Sequence, residues 1–450
     1  MNIGAFSFWP LERLLLLVLL SFTCLFIFSV ALRRPFLIFA LLIMSIPFES
    51  HFVSTPFLSL SFPNVLLLLL ILAISMRVLL SRRTVHLDQG VIILGGLLLW
   101  GIAVTMIAKD PAGHIRELVS LTGGILFYFI TRFAIQTEQE LRWATKVLLG
   151  TVAFAGLASF IQFVGVQKGV MLGRVDFGLY FGLPFYRFSG TYKDPNAYGL
   201  FLLAGFPAML YYIINSSSWR KRICSIILAL PTLGGLIMSI SRGAWLGAIA
   251  SLVAIGVSRR LRTSRYRVVF FIITLCLGLS LGPIAYRWVT TPLIQVNPRS
   301  VAARLSLWTA GCNVLLHYPL GVGFEGWYKA TDVPVLERHR ELHNTFLQLA
   351  TALGFPGLII FILFYVWILR QAVINVRRAS PELIHQYNAL LFCLVAVAVS
   401  STFLDVLFTK GMWLLAGLTS SLLYPPSVDH KEEREEEKER RSGPQSVVDP

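Results

Sequence analysis

Apolar stretches near 20 residues long recur along almost the whole chain, separated by short polar breaks. A bilayer core of about 30 Å needs about 20 helical residues, so each stretch predicts a membrane-spanning helix. The spans read as 14–32, 36–47, 62–80, 90–108, 117–134, 143–164, 197–215, 222–240, 243–257, 268–286, 343–369, 386–406 and 411–424. The second is short, so the total is twelve or thirteen. The expected fold is an all-α, polytopic transmembrane helical bundle with a partly helical large outer loop. The first apolar run lacks a small-residue cleavage site and reads as a retained span.

The breaks orient the spans. Arg33-Arg34, Arg82-Arg83, Arg132 with Arg142, "WRKR" (219–222), "SRRLRTSRYR" (258–267) and Arg370 with Arg377-Arg378 all fall on one side of this alternation. Loops rich in lysine and arginine mark the cytoplasm. Two long loops, about 165–196 and 287–342, then share the outer face. Residues 1–424 form the membrane domain, and the charged stretch 425–450 is a cytoplasmic tail.

Composition agrees. The chain is 56% hydrophobic and 14% charged, with a mean hydropathy of +0.72. A soluble protein carries roughly 25% charged residues. The net charge of +16 would suit nucleic acid, but the basic residues sit in short loops between spans, which argues against that partner. The five cysteines show no C-x-x-C spacing, and four of them lie in apolar spans, so neither a disulfide framework nor a zinc site is expected.

Three spans begin at the outer face with polar residues. "KDPN" (193–196) offers Asp194 as N-cap and Pro195 at the first helical position. "SISRGAW" (239–245) places Ser241 and Arg242 ahead of the ninth span, with Gly243 permitting a tight break. "HNTFLQ" (343–348) contains Thr345-x-x-Gln348, a capping-box spacing. Capping alone explains such starts. Basic residues also stand beside them: Arg187 and Lys193 at the first, Arg242 at the second, and Arg338, Arg340 and His343 at the third. Helix N-termini favour anions, and arginine grips phosphate with a two-pronged fork. Convergence of the three starts would make an anion cradle. Arg242 lies between two apolar spans, where an arginine is costly unless it is paired or faces a polar cavity; snorkelling to the interface is the alternative.

In the large outer loop, Val301, Leu305, Trp308, Cys312 and Leu315 recur at helical spacing, which predicts an amphipathic helix lying on the membrane surface. Arg304 edges that stripe. "HYPLGVGFEGW" (317–327) ends the helix; His317 there is read as structural first and functional second. Trp308 and Tyr192 read first as aromatics at the membrane interface. No carboxylate pair has metal-site spacing, no nucleotide-binding glycine loop appears, and acidic residues are almost absent from mid-span.

Four motifs in this order, "RFSGTYKDPNAYG" (187–199), "SRGAW" (241–245), "ARLSLWTAGCNVLLHYPLGVGFEGW" (303–327) and "HNTFLQLATALGFPG" (343–357), resemble the O-antigen ligase and O-antigen polymerase superfamily. The ligase-like core would span about 187–369. The resemblance implies a metal-independent glycosyltransferase that needs no cofactor and works at the outer face of the cytoplasmic (inner) membrane. Its donor would be a glycan on undecaprenyl diphosphate, and its acceptor a glycan or lipid A core hydroxyl. Membrane lipids would surround it. The family pattern implies essential residues at Arg242, at Arg304 with Arg299 the lesser match, and at His343. Members often carry glutamate at the position of Ala352, so a role tied to that carboxylate does not carry over.

These three residues are the expected catalytic groups. Arg187, Lys193, Asp194, Arg299, His317, Arg338 and Asn344 are the expected substrate-binding groups. Arg242 and Arg304 would stabilise the departing diphosphate. His343 would act as base or as a phosphate ligand. A single displacement would invert the anomeric centre. Ligase and polymerase stay open, as do a lipid-linked-glycan transporter and a non-catalytic membrane scaffold.

Overall fold

The protein is described here by a computed structural model covering residues 10–49, 52–54, 59–81, 88–180, 183–257, 301–331 and 341–422. The expected span 268–286, the loop 258–267, Arg82-Arg83, Arg299, Arg338, Arg340 and the tail 425–450 lie outside the described residues, as do the side chains of 301–306.

Fourteen helices are described: α1 (Pro10–Arg33), α2 (Pro35–Ser45), α3 (Phe62–Ser81), α4 (Gln89–Val104), α5 (Pro111–Ala134), α6 (Glu138–Gln167), α7 (Pro195–Leu203), α8 (Phe206–Asn215), α9 (Trp219–Ser239), α10 (Arg242–Val257), α11 (Val301–His317), α12 (Thr345–Arg378), α13 (Ile384–Ser400) and α14 (Lys410–Ser420). Two small antiparallel hairpins accompany them, β1 (Phe52–Ser54) with β2 (Ser59–Ser61) and β3 (Val175–Tyr180) with β4 (Leu183–Phe188). Among the described residues six helical segments are long and apolar enough to cross a membrane, and five shorter apolar helices stand beside them. The fold is an all-α polytopic bundle, as the hydropathy pattern predicts.

The two ends of the bundle differ in charge. At one end Arg132 pairs with Asp88, and Arg142 meets Glu138 at 3.2 Å and Glu382 at 2.5 Å. Those contacts join the starts of α4 and α6, the end of α5 and the α12–α13 loop. The sequence alternation puts the same loops together. The opposite end gathers the segment after α2, the β3–β4 hairpin, the starts of α7, α10 and α12, and the α13–α14 loop.

Several elements depart from the predicted spans. The run 197–215 is two helices, with a break at Ala204 and Gly205. The last expected span is an 11-residue helix, α14, buried along its whole length. The span 343–369 extends to Arg378 but breaks at Gly354, whose φ of 67° and ψ of −170° are non-helical. A short first half, Thr345–Leu353, therefore precedes a longer second half.

A break inside an apolar bundle frees carbonyls that must find partners. The loop after α11 and Trp100 of α4 supply them. Val322 N–H donates to the Thr351 carbonyl at 3.0 Å, and Gly323 N–H to that of Ala352 at 2.9 Å. Trp100 Nε1 donates to the Leu353 carbonyl at 2.7 Å, and Phe355 N–H to Pro319 at 2.9 Å. The same loop is tied to the α4–α5 turn by the buried His114. Its Nε2 lies 2.8 Å from the Gly101 carbonyl, and its Nδ1 accepts from Phe324 N–H at 3.0 Å. These partners assign the Nε2-protonated tautomer. Lys329 adds an ion pair to Asp110 at 3.1 Å.

Helix α11 forms where expected, but its buried stripe is rotated. Leu307 and Val314 are buried against Val322, Trp327 and Leu342, while Cys312 is exposed. The loop after the helix folds over it and selects that face, so the stripe is not set by a membrane surface alone.

Candidate functional site

Helix starts supply the frame of the site. Asp194 caps α7 as predicted, its Oδ2 accepting from Ala197 N–H at 2.9 Å. The capping box expected at Thr345 does not form. Asn344 is the cap instead, accepting from Leu347 N–H at 3.0 Å. Thr345 is turned toward the α13–α14 loop, donating to the Leu404 carbonyl at 2.8 Å and accepting from Val406 N–H at 3.0 Å. Gln348 accepts from Leu342 N–H at 3.2 Å. The α9–α10 break falls at Ile240, whose φ is 47°, and not at Gly243. Gly243 instead lets α10 approach Leu404, which a Cβ there would meet at 2.6 Å.

Arg187 and Asn196 join these starts. Arg187 is buried; its Nε donates to the Ser239 carbonyl at 3.0 Å and its Nη2 to Asn196 Oδ1 at 3.1 Å. Ser241 Oγ donates to the same Asn196 oxygen at 3.1 Å. Arg187 thus fills a helix-end carbonyl and clamps the start of α7 against the α9–α10 break. The beginnings of α7, α10 and α12 meet around the Leu404–Val406 loop.

At this junction opens a cleft of about 340 Å³. Lys193, Asp194 and His343, candidate site residues from the sequence, line it. Glu49, Tyr192, Asn196, Glu341, Asp405 and Lys410 line it too. Arg242 is not among the lining residues; it heads α10 between Ser241, bonded to the lining Asn196, and Gly243, packed on the lining Leu404. Helix α11 carries Arg304 at its start. Asn344 caps α12 beside His343 without lining the cleft. His317 sits apart, exposed at the end of α11, with Nδ1 2.8 Å from the Asn313 carbonyl. Trp308 donates to the Leu342 carbonyl at 2.7 Å and packs on Phe403, so its indole N–H is committed to the protein.

The lining is mixed in sign. Among the described residues Glu49, Asp194, Glu341 and Asp405 face Lys193, Lys410 and His343. Lys410, nearly buried, pairs with Glu49 across more than three hundred residues of chain. His343 Nδ1 lies 3.8 Å from Glu341 Oε2. His343 itself holds φ at 50°, a left-handed conformation uncommon for a residue other than glycine. Strained backbone of this kind concentrates at functional sites.

The Glu341 carboxyl is pushed up to about 7, first by loss of hydration and then by the carboxylates of Asp405 and Asp194. Its side chain is 67% accessible and lines the cleft with Asp194 and Asp405, so solvent screens part of this effect. The sign follows from linkage. The pKa in the folded protein lies above the ordinary value of 4.5. Its contribution to stability is therefore full below that value and is lost as pH rises through about 7. The melting temperature is expected to fall between about pH 5 and about pH 8, and Glu341→Gln is expected to remove part of that fall. Thermal scans of both proteins across that range check this.

Glu49, Asn196 and Lys410 were not singled out by sequence. Isolated charges at the ends of apolar spans were the available signal, since such residues are expensive unless paired.

Residues 224–362 match the family model described as O-antigen ligase. The stretch runs from most of α9 into the second half of α12, and so includes Arg242, Arg304 and His343 but not Arg187, Lys193, Asp194, Asp405 or Lys410. Among curated proteins none matches the chain. The family match supports the O-antigen ligase superfamily and a multi-pass membrane enzyme of that kind.

Proposed function

We propose that the protein is a glycosyltransferase that moves a glycan from undecaprenyl diphosphate to an acceptor hydroxyl at the outer face of the cytoplasmic membrane. The observation that carries this reading is the meeting of three helix N-termini, those of α7, α10 and α12, around one cleft holding Lys193 and His343. The cleft lies at the end of the bundle opposite the Arg132–Asp88 and Arg142–Glu382 pairs. By the positive-inside rule that end faces outward.

In the proposed step the acceptor oxygen bonds to the anomeric carbon as the bond from that carbon to the phosphate oxygen breaks. The electron pair leaves on the diphosphate, and the acceptor proton passes to His343. One displacement inverts the sugar. Arg242 and Arg304, with the helix dipoles, offset the growing phosphate charge. The cleft carboxylates suit hydroxyl groups rather than phosphate, so we assign Asp194, Glu341 and Asp405 to the sugar side and Lys193 to the diphosphate side.

The test is purified protein supplied with lipid-linked glycan and candidate acceptors, with the product identified by mass spectrometry. Product attached to lipid A core marks a ligase, and lengthened glycan marks a polymerase. No transfer to any hydroxyl acceptor overturns the reading. Arg242→Ala is expected to slow transfer by about 10²–10³-fold, the usual cost of one preorganised charge-stabilising donor. Unchanged single-turnover rates would remove Arg242 from the mechanism.

A further inference from the structure

The Arg-rich end of the bundle holds a second recess, unconnected with glycan transfer. It is about 230 Å³ in volume, lies between the start of α4 and the last turns of α12, and is lined by Asp88, Gln89, Trp367, Arg370, Gln371 and Arg378, with Ile374 between the arginines. We propose that this recess binds the phosphate of an anionic phospholipid headgroup in the cytoplasmic leaflet.

Charge comes first. Asp88 is already committed: its Oδ1 caps α4 through Val91 N–H at 2.9 Å, and its Oδ2 pairs with Arg132. Arg370 and Arg378 are exposed and line the same recess, so the local balance is positive. The recess meets α4 at its N-terminal end, Asp88 and Gln89, where the helix dipole has the sign an anion prefers. Two glutamine side chains, Gln89 and Gln371, supply further donors.

The floor is built. Gly90 abuts the Trp367 ring, which a Cβ would meet at 2.4 Å. Trp367 is itself nearly buried and stacks on Phe364 at 6.1 Å. The close approach of α4 and α12 sets the depth of the pocket.

The surroundings favour a lipid over free phosphate. On α12, Ile359, Leu363 and Val366 are exposed at 55%, 53% and 58% and fall on the helical face that reaches Arg370 one turn later. On α4, Ile92 is exposed at 64%, one turn from Gln89. Apolar tracks thus run along both walls toward the charged recess, as acyl chains below a headgroup require. Basic pockets between membrane helices on the cytoplasmic side are suited to anionic headgroups.

The experiment titrates phosphatidylglycerol, phosphatidylcholine and inorganic phosphate separately into the full-length protein in detergent, and counts bound molecules by native mass spectrometry. Phosphatidylglycerol is expected to bind at one preferred site. Arg370→Gln is expected to weaken it about fivefold, and Arg370→Gln with Arg378→Gln about thirtyfold, from the usual worth of a basic residue near an anionic surface. Ile374→Trp, which fills the recess without changing charge, should weaken it as well. The control pair Arg220→Gln with Lys221→Gln, on the same face of the protein but outside the recess, should change nothing. Equal binding by the wild type and the recess variants overturns the site. Inorganic phosphate binding as tightly as the lipid, with the same arginine dependence, overturns the lipid assignment. Loss of binding in the control pair reduces the effect to a general attraction and overturns the proposal too.

Discussion

Replacing His343 is expected to cut glycan transfer by about 10²–10⁴-fold, the range contributed by a positioned general base. The argument starts from where His343 sits. It lines the cleft one residue ahead of the Asn344 cap, half-exposed, with Nδ1 3.8 Å from Glu341. Its φ is 50°, and it lines the cleft where three helix starts meet. Alanine at that position would be strained, so a loss in His343→Ala mixes chemistry with folding. His343→Asn separates them, because asparagine tolerates the left-handed region and offers no base near neutral pH. His343→Lys separates the two chemical roles. Lysine keeps a positive charge and remains protonated, so it preserves phosphate binding and loses proton transfer. Full transfer by His343→Asn, in protein that elutes as a single peak, removes His343 from the chemistry. Partial rescue by His343→Lys alone would make it a phosphate ligand. In either case the measured quantity is single-turnover formation of product.

The features visible in the sequence are those set by local chemistry. Apolar runs gave the bundle, because burial in a helical bundle follows from solvent preference residue by residue. Asp194 declared itself as a cap because Asp before Pro ahead of an apolar run suits the Ncap and first helical positions. The features not legible depend on pairing at a distance. Lys410 and Glu49 find each other only once the segment after α2 meets the start of α14. Thr345 looked like half of a capping box, yet the Leu404 carbonyl and Val406 N–H claim its hydroxyl, and Asn344 takes over the cap. The outer cleft was expected to be cationic. Its described lining includes four carboxylates from separate parts of the chain, no two of which are neighbours in sequence. Arg187 shows the same limit: its buried guanidinium reaches the Ser239 carbonyl and Asn196, partners far apart in sequence or set by the turn before α7.

Gly354→Ala is expected to cost about 3 kcal/mol or more, and to lower the yield of folded protein sharply. Two independent penalties add. Gly354 holds φ at 67° and ψ at −170°, a region open essentially to glycine alone, and a side chain there costs about 1–3 kcal/mol. A Cβ would also stand 2.3 Å from the Pro319 carbonyl oxygen and 2.4 Å from the Leu320 carbonyl carbon. Both are backbone atoms and cannot swing aside as a flexible side chain does. Relief requires moving the Pro319–Gly323 segment, and that segment supplies the hydrogen bonds that satisfy the break in α12. Displacing it exposes the Thr351 and Ala352 carbonyls within the bundle, where no water replaces the lost donors. The damage should travel to the cleft, because Thr345 and the cap at Asn344 stand at the other end of the same half-helix. Gly321, with φ at 93° and a Cβ position 2.4 Å from the Ala352 carbonyl oxygen, faces the break from the other side. Gly321→Ala should therefore fail in the same way. By contrast, Gly95→Ala on α4, where a Cβ would meet nothing within 4 Å, should be accepted. Fluorescence-detected size exclusion with a heating series compares the three. Folding of Gly354→Ala at the temperature tolerated by Gly95→Ala would mean the break in α12 can straighten, and the half-helix that presents His343 would lose its structural basis.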